Sequence, residues 1–304
     1  MAFFGQTDSI QEHSEYIKTF PDAITVRPFL LNTSNSLRVK ERNSDNEIDL
    51  SANKQDRIGG SVAFRSIVLS YSFAPDVLAI NEDNQDSRVF NLKLRTFFGQ
   101  WMQTITLFDE KGFFIENEDI SVYLPNSKSF KIGGGTSYIV NPNFSFKALT
   151  SQNEKQLKSV GSFIPRVVYF YSKFKVRDDS GFQSELVSFD IAIAPSYYYN
   201  WVPVKNVLLS GGVSAGAGVN YSESDGESLT SLLTELDFRG AVIYDKNNLY
   251  LGASYSYLVL NHNSDRSSYI KDNIPTLELF FGYRFGAPKS ILKLAEHINS
   301  TLGL

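Results

Sequence analysis

The sequence predicts an all-β chain, a transmembrane antiparallel β-barrel of about 12 strands, or 14 if two weak early segments also cross. Three observations predict it. Between Asn247 and Phe285, Leu249, Leu251, Ala253, Tyr255, Tyr257 and Val259 take alternate positions, and Leu277, Leu279, Phe281, Tyr283 and Phe285 do the same further on. A period of two marks extended strands with one apolar and one polar or small face. These runs are about twice the five or six residues usual in soluble strands. About ten residues, apolar on one side and ending on aromatic rings, is the length a tilted strand needs to cross a bilayer. Second, no run of about 18 apolar residues occurs, which excludes crossing by helices. Third, 24 Phe and 16 Tyr are enough for aromatic girdles at both membrane interfaces.

Composition agrees with one barrel rather than two domains. Apolar residues make up 42% of 304, with no shift that would mark a second core, and half of each barrel strand faces a polar interior. The chain has no cysteine, which removes disulfides and thiolate metal sites and suits passage through an oxidising periplasm. A net charge of -4 without a basic stripe argues against nucleic acid as a partner. No cofactor is expected. A soluble β-sandwich binding module is the alternative fold.

In chain order, residues 1–22 are expected to be a signal-peptide remnant (1–5) and a polar periplasmic lead-in with room for one short helix. Residues 23–286 form the barrel. Alternation begins with Ile24, Val26 and Leu30 against Thr25 and Arg27, and 36–42 and 47–53 are weaker, more charged strand candidates. Residues 58–64 and 66–73 form a hairpin at Arg65-Ser66. After an acidic loop, 88–98 turns at Gly99-Gln100 into WMQTITLF. The stretch 109–128 reads as irregular. Residues 129–141 and 144–149 read as a hairpin across Asn141-Pro142, followed by 162–176, apolar on both faces. Then come 187–199, 207–221, 235–244 and the two runs described first, with turns at Trp201-Val202-Pro203 and Asp245-Lys246-Asn247. Counting back from Phe285 makes the last two turns periplasmic, but it places the tight turns at 65–66, 99–100 and 141–142 outside. Barrels keep their short turns on the periplasmic side, so either a crossing is missing, in 109–128 or in 143–160, or this barrel breaks the rule. Residues 287–304 form a periplasmic tail. There Ile291, Leu294, Ala295, Ile298 and Leu302 share one helical face behind Pro288, in an amphipathic helix on the periplasmic rim or a frayed end.

The residues opposite the apolar face carry the chemistry. Lys93 and Arg95, Lys147, Asp190, then Glu235, Asp237 and Arg239, and finally Glu278 and Arg284 are expected to line the lumen. Mixed charges there pair across the lumen and close it, or line a narrow aqueous path. Pairing is the default, because unpaired buried charge is costly. Gly212, Gly216 and Gly218 leave room inside, and Gly133-Gly134-Gly135 marks a kink or bulge rather than a phosphate loop. The acidic loops lack calcium-loop spacing. Of the three histidines only His262, with Ser264, Asp265 and Ser267, could form a rim-active lipid hydrolase, and a polar surface loop explains it better.

NEKQLKSVGSF (153–163) before an aromatic strand, YNWVPVKN (199–206), and GYRF (282–285) with its basic tail resemble an uncharacterised family of outer-membrane barrel proteins from Bacteroidota, a domain-of-unknown-function family. The likeness covers about 20–288, with Val160 where alanine is expected. It implies a bacterial outer-membrane location and supplies no catalytic residue. Phe281, Gly282, Tyr283 and Phe285 resemble the aromatic-ended terminal strand read by the barrel-assembly machinery, here 19 residues from the end. The expected function is a non-enzymatic structural or accessory subunit of an envelope complex. A narrow porin-like channel for small solutes is the alternative. The expected partners are outer-membrane lipid, the assembly machinery during biogenesis, and other envelope proteins.

Overall fold

A computed structural model describes residues 15–33, 36–41, 47–52, 56–78, 87–116, 121–150, 153–177, 183–224, 226–263 and 268–302. The expected signal remnant, most of the lead-in and its short helix lie outside them. A lead-in strand, β1 (Ile17–Thr19), precedes the first stave, which is β2 (Ala23–Thr33) continued by β3 (Ser36–Glu41). The second is β4 (Glu47–Ala52) continued by β5 (Asp56–Phe64). β6 (Ile67–Phe73), β7 (Arg88–Phe98), β8 (Trp101–Glu116) and β9 (Ser121–Tyr138) follow singly. β10 (Glu154–Gln156) lies off the ring. β11 (Val160–Ile164) with β12 (Arg166–Arg177), and β13 (Gln183–Ile193) with β14 (Ser196–Val204), are staves interrupted at Pro165 and Pro195, which lack an N–H for the ladder. β15 (Val207–Ser224), β16 (Glu227–Lys246), β17 (Leu249–Asn263) and β18 (Ser268–Gly286) complete the set.

Each stave is antiparallel to the next, and β18 returns to pair with β2, from Phe285 opposite Ile24 to Thr276 opposite Thr33. Twelve staves therefore close a ring with no free edge. β6 and β7 are short, so β4 pairs directly with β8 beyond them, Leu50 opposite Ile115. The tight turns at 65–66, 99–100, 205–206 and 247–248 share one end of the barrel with the start of β2 and the end of β18, the short-turn end.

Two expectations are corrected here. The stretch 109–128 is not irregular: β8 runs on to Glu116 and β9 starts at Ser121, a long outer hairpin whose polar residues hid its period. Residues 144–149 are not a strand but enter the barrel end, with a 3-10 turn at Lys147–Thr150. The second of these restores the parity of the turns: no crossing is missing, and 144–149 is one crossing too many. The weak segments 36–41 and 47–52 extend the first two staves rather than adding crossings, which leaves 12. No bulge lies at Gly133-Gly134-Gly135. Register with β8 is continuous there, and a Cβ on Gly134 would meet the Thr104 carbonyl, so close strand approach selects glycine. The tail is a helix, α1 (Lys289–Leu302), its first turn bonded to the Pro288 carbonyl by the Ile291 N–H at 3.0 Å.

Outward positions form a continuous apolar band. Val62, Leu69, Ile105, Ile191, Val242 and Leu279 are all exposed, Ile191 by 56% and Leu279 by 50%. Phe98, Trp101, Tyr199, Trp201, Tyr244 and Tyr283 ring the short-turn end, and Tyr71, Phe73, Phe189 and Tyr221 the opposite end. An apolar band of this extent on a ring without edges is what a bilayer requires, and the fold is a transmembrane β-barrel.

Candidate functional site: a plugged, charged lumen

Between β9 and β11 the chain turns into the mouth at the short-turn end. Asn141 starts the turn, its Oδ1 accepting from the Asn143 N–H at 3.0 Å, and the Ser145 Oγ caps the 3-10 turn by accepting from the Ala148 N–H at 3.0 Å. Gln156 holds the plug in place. Its Oε1 accepts from the Ser145 N–H (2.9 Å) and the Asn200 Nδ2 (3.1 Å), while its Nε2 donates to the carbonyls of Asn143 (2.8 Å) and Tyr16 (3.1 Å). Beneath it β1 and β10 form a two-stranded ribbon, Ile17 opposite Gln156. Phe144, Phe146 and Leu149 pack on inward side chains of the wall, among them Val68, Phe97, Met102 and Tyr198. Phe146 meets the Tyr198 ring edge-on at 5.4 Å. Tyr198 lies against Gly212, so the space expected beside that glycine is filled by an aromatic ring.

A clasp joins the plug to the barrel. The Lys155 Nζ donates to the Asp245 carbonyl at 2.6 Å and to the Asn206 Oδ1 at 3.1 Å. Burial pulls the Lys155 ammonium below the usual lysine range, opposed by the Asp245 carboxylate. Asp245 accepts two bonds from Arg284, at 3.0 and 2.7 Å, and the guanidinium sits between the rings of Phe20 (4.5 Å) and Tyr250 (4.8 Å).

Eight of the nine expected wall charges lie on the inward register. Lys147 does not. It belongs to the plug, where it pairs with Glu154 at 2.8 Å, because the segment that carries it is no stave. Glu235 and Asp237 on β16 are buried and neutralised by Arg166 and Arg239, the last at 2.8 Å from Asp237. Glu278 pairs with Arg27 at 2.6 Å, and Asp190 accepts from the Asn220 Nδ2 at 2.6 Å. Arg57, Glu110 and Arg166 were not expected on the wall, and Arg27, placed on the polar face of its strand, and Asp245, placed in a turn, were not counted among its charges. Carrying the same alternation through β2, β5, β8 and β12 would have found most of them.

His262 is buried on the inward register of β17, not on a lipid-facing rim, and Ser264, Asp265 and Ser267 lie outside the described residues. Phe281, Tyr283 and Phe285 point outward into the apolar band, while Gly282 underlies the Tyr250 ring.

Among solved structures the fold is similar to the outer membrane protease OmpT from Escherichia coli (9% identity, 88% of this chain and 98% of that one, TM-score 0.41). It is also similar to an outer membrane channel from Pseudomonas putida F1 (10%, 90% and 98%, 0.41) and to the beta domain of the Bordetella autotransporter BrkA (10%, 86% and 99%, 0.38). No curated protein matches by sequence. One family matches nearly the whole barrel, over residues 7–285, and the chain belongs to it: Domain of unknown function (DUF4421).

Proposed function

We propose that the protein resides in the bacterial outer membrane as a barrel closed to solute flow and acts as a non-enzymatic structural or accessory subunit of the envelope, in the Bacteroidota-type setting that the family resemblance implies. The observation that carries this reading is the plug. Residues 144–150 and 153–156 fill the periplasmic mouth with a packed aromatic cluster and a network of buried hydrogen bonds, and the wall charges on β16 are paired rather than lining a path. The periplasmic face gives partners a surface, with Leu157, Lys158 and Ser159 exposed beside the β1–β10 ribbon and Lys289 and Lys293 exposed on α1.

Single-channel recording of the refolded protein in a planar bilayer tests closure. The intact barrel is expected to be silent, and a variant with 144–156 replaced by a Gly-Ser linker is expected to give steady steps. Ion-selective steps in the intact protein that change on Arg239→Ala would establish the channel instead. The accessory role is tested by cross-linking from Lys158 in intact cells. Capture of a defined envelope protein supports it, and a barrel that cross-links only to itself argues against it.

A further inference from the structure

The charges around one chamber of the lumen do not balance. Above the plug lies a chamber of about 220 Å³, lined by Arg27, Arg57, Lys93, Arg95 and Arg239 and by one carboxylate, Glu278. Three of the five cations have acidic partners: Arg27 on Glu278, Arg57 on Glu110 and Arg239 on Asp237. Among the described residues no carboxylate pairs with Lys93 or Arg95. Arg95 is buried, its Nε donating to the Thr104 Oγ1 at 3.4 Å and its guanidinium over the Phe146 ring at 5.4 Å. Arg57 is 2% exposed, yet its Nε and Nη1 have no acceptor, and neither has the Ser72 hydroxyl on the same wall. Beside Lys93 the register adds a row of hydroxyls across four strands, Ser61 opposite Ser70, Ser70 opposite Lys93, and Lys93 opposite Thr106.

Uncompensated charge and unfilled donors inside a protein cost free energy. They come from independent strands and converge on one cavity. The group that satisfies them together is an anion with several acceptor oxygens, since arginine engages phosphate and carboxylate in fork geometry and lysine adds a point charge. We propose that this chamber binds a small soluble anion, a phosphate or carboxylate on a compact body. Lys93 and Arg95 supply the charge, and the free N–H groups of Arg57 and the neighbouring hydroxyls supply direction. The chamber is smaller than the roughly 300–1,000 Å³ of pockets for drug-sized ligands, so the body is no larger than a single sugar.

Calorimetric titration of the detergent-refolded full chain tests this with inorganic phosphate, acetate, glucose 6-phosphate and glucose. Saturable one-site heats are expected with at least one anion and none with glucose. Whether phosphate or acetate gives the heat identifies the anionic group. Lys93→Gln and Arg95→Gln are each expected to weaken binding at least about tenfold, the loss of a charge-assisted hydrogen bond, while Lys93→Arg retains it. A second readout needs no variant: the bound anion slows acylation of Lys93, but not of Lys158, by a small amine-reactive reagent in the wild-type barrel. Absence of heat at millimolar anion, or equal acylation of Lys93 with and without anion, overturns the proposal.

Discussion

Arg284 reaches Asp245 through two bonds while only 1% and 7% of the two side chains meet solvent. Removing one member of such a pair leaves a buried charge uncompensated, at about 3–5 kcal/mol. Arg284→Met is therefore expected to lower the unfolding free energy of the micelle-embedded barrel, measured by urea titration, by that amount. Arg284→Met with Asp245→Asn should recover part of the loss, because the orphaned carboxylate is gone. Which residues face inward was legible at this scale, since the period of two assigns Glu235, Asp237 and Arg239 to one side. Which residues pair was not. Arg166 and Glu235 are 69 positions apart on staves that are not neighbours, and the curl of the sheet brings them together.

Among the elements, the plug was misread. FSFKAL alternates as a strand does, with Phe144, Phe146 and Ala148 on one side, and nothing in its period separates an outward apolar face from one buried in the mouth. The outer hairpin of β8 and β9 was missed for the opposite reason, because Asp109, Glu110 and Lys111 break the apolar rhythm where the sheet continues. The plug docks through aromatic packing as well as through Gln156. Phe146→Ala is expected to weaken that docking by about 3–5 kcal/mol, the usual cost of emptying a buried aromatic site. Limited trypsin digestion should then cut at Lys147 faster while heat-modifiable gel mobility still reports a closed ring. Loss of the closed-ring mobility itself would mean that the plug is part of the barrel's cooperative unit.

For the molecule as a whole, the apolar exterior makes a claim about solvent. Leu279 stands half exposed between Ala253 and Leu30 of the adjacent staves, within the aliphatic part of the band. An arginine at a midplane position of this kind costs about 2–4 kcal/mol in a bilayer. Leu279→Arg should accordingly lower folding stability in vesicles by that amount, whereas in aqueous solution an exposed leucine is replaced nearly freely. A neutral result in vesicles would place the band outside the hydrocarbon core.

The seam between β2 and β18 bridges the longest chain separation in the barrel. The first and last staves are neighbours, so the ring cannot lock until the final strand has arrived. The plug comes from the middle of the chain and is held by contacts to β5, β7, β14 and the lead-in strand. Its anchors include Thr25 on β2 and Asp245 on β16, so the stopper finds its complete seat only in a sheet that has already curled round.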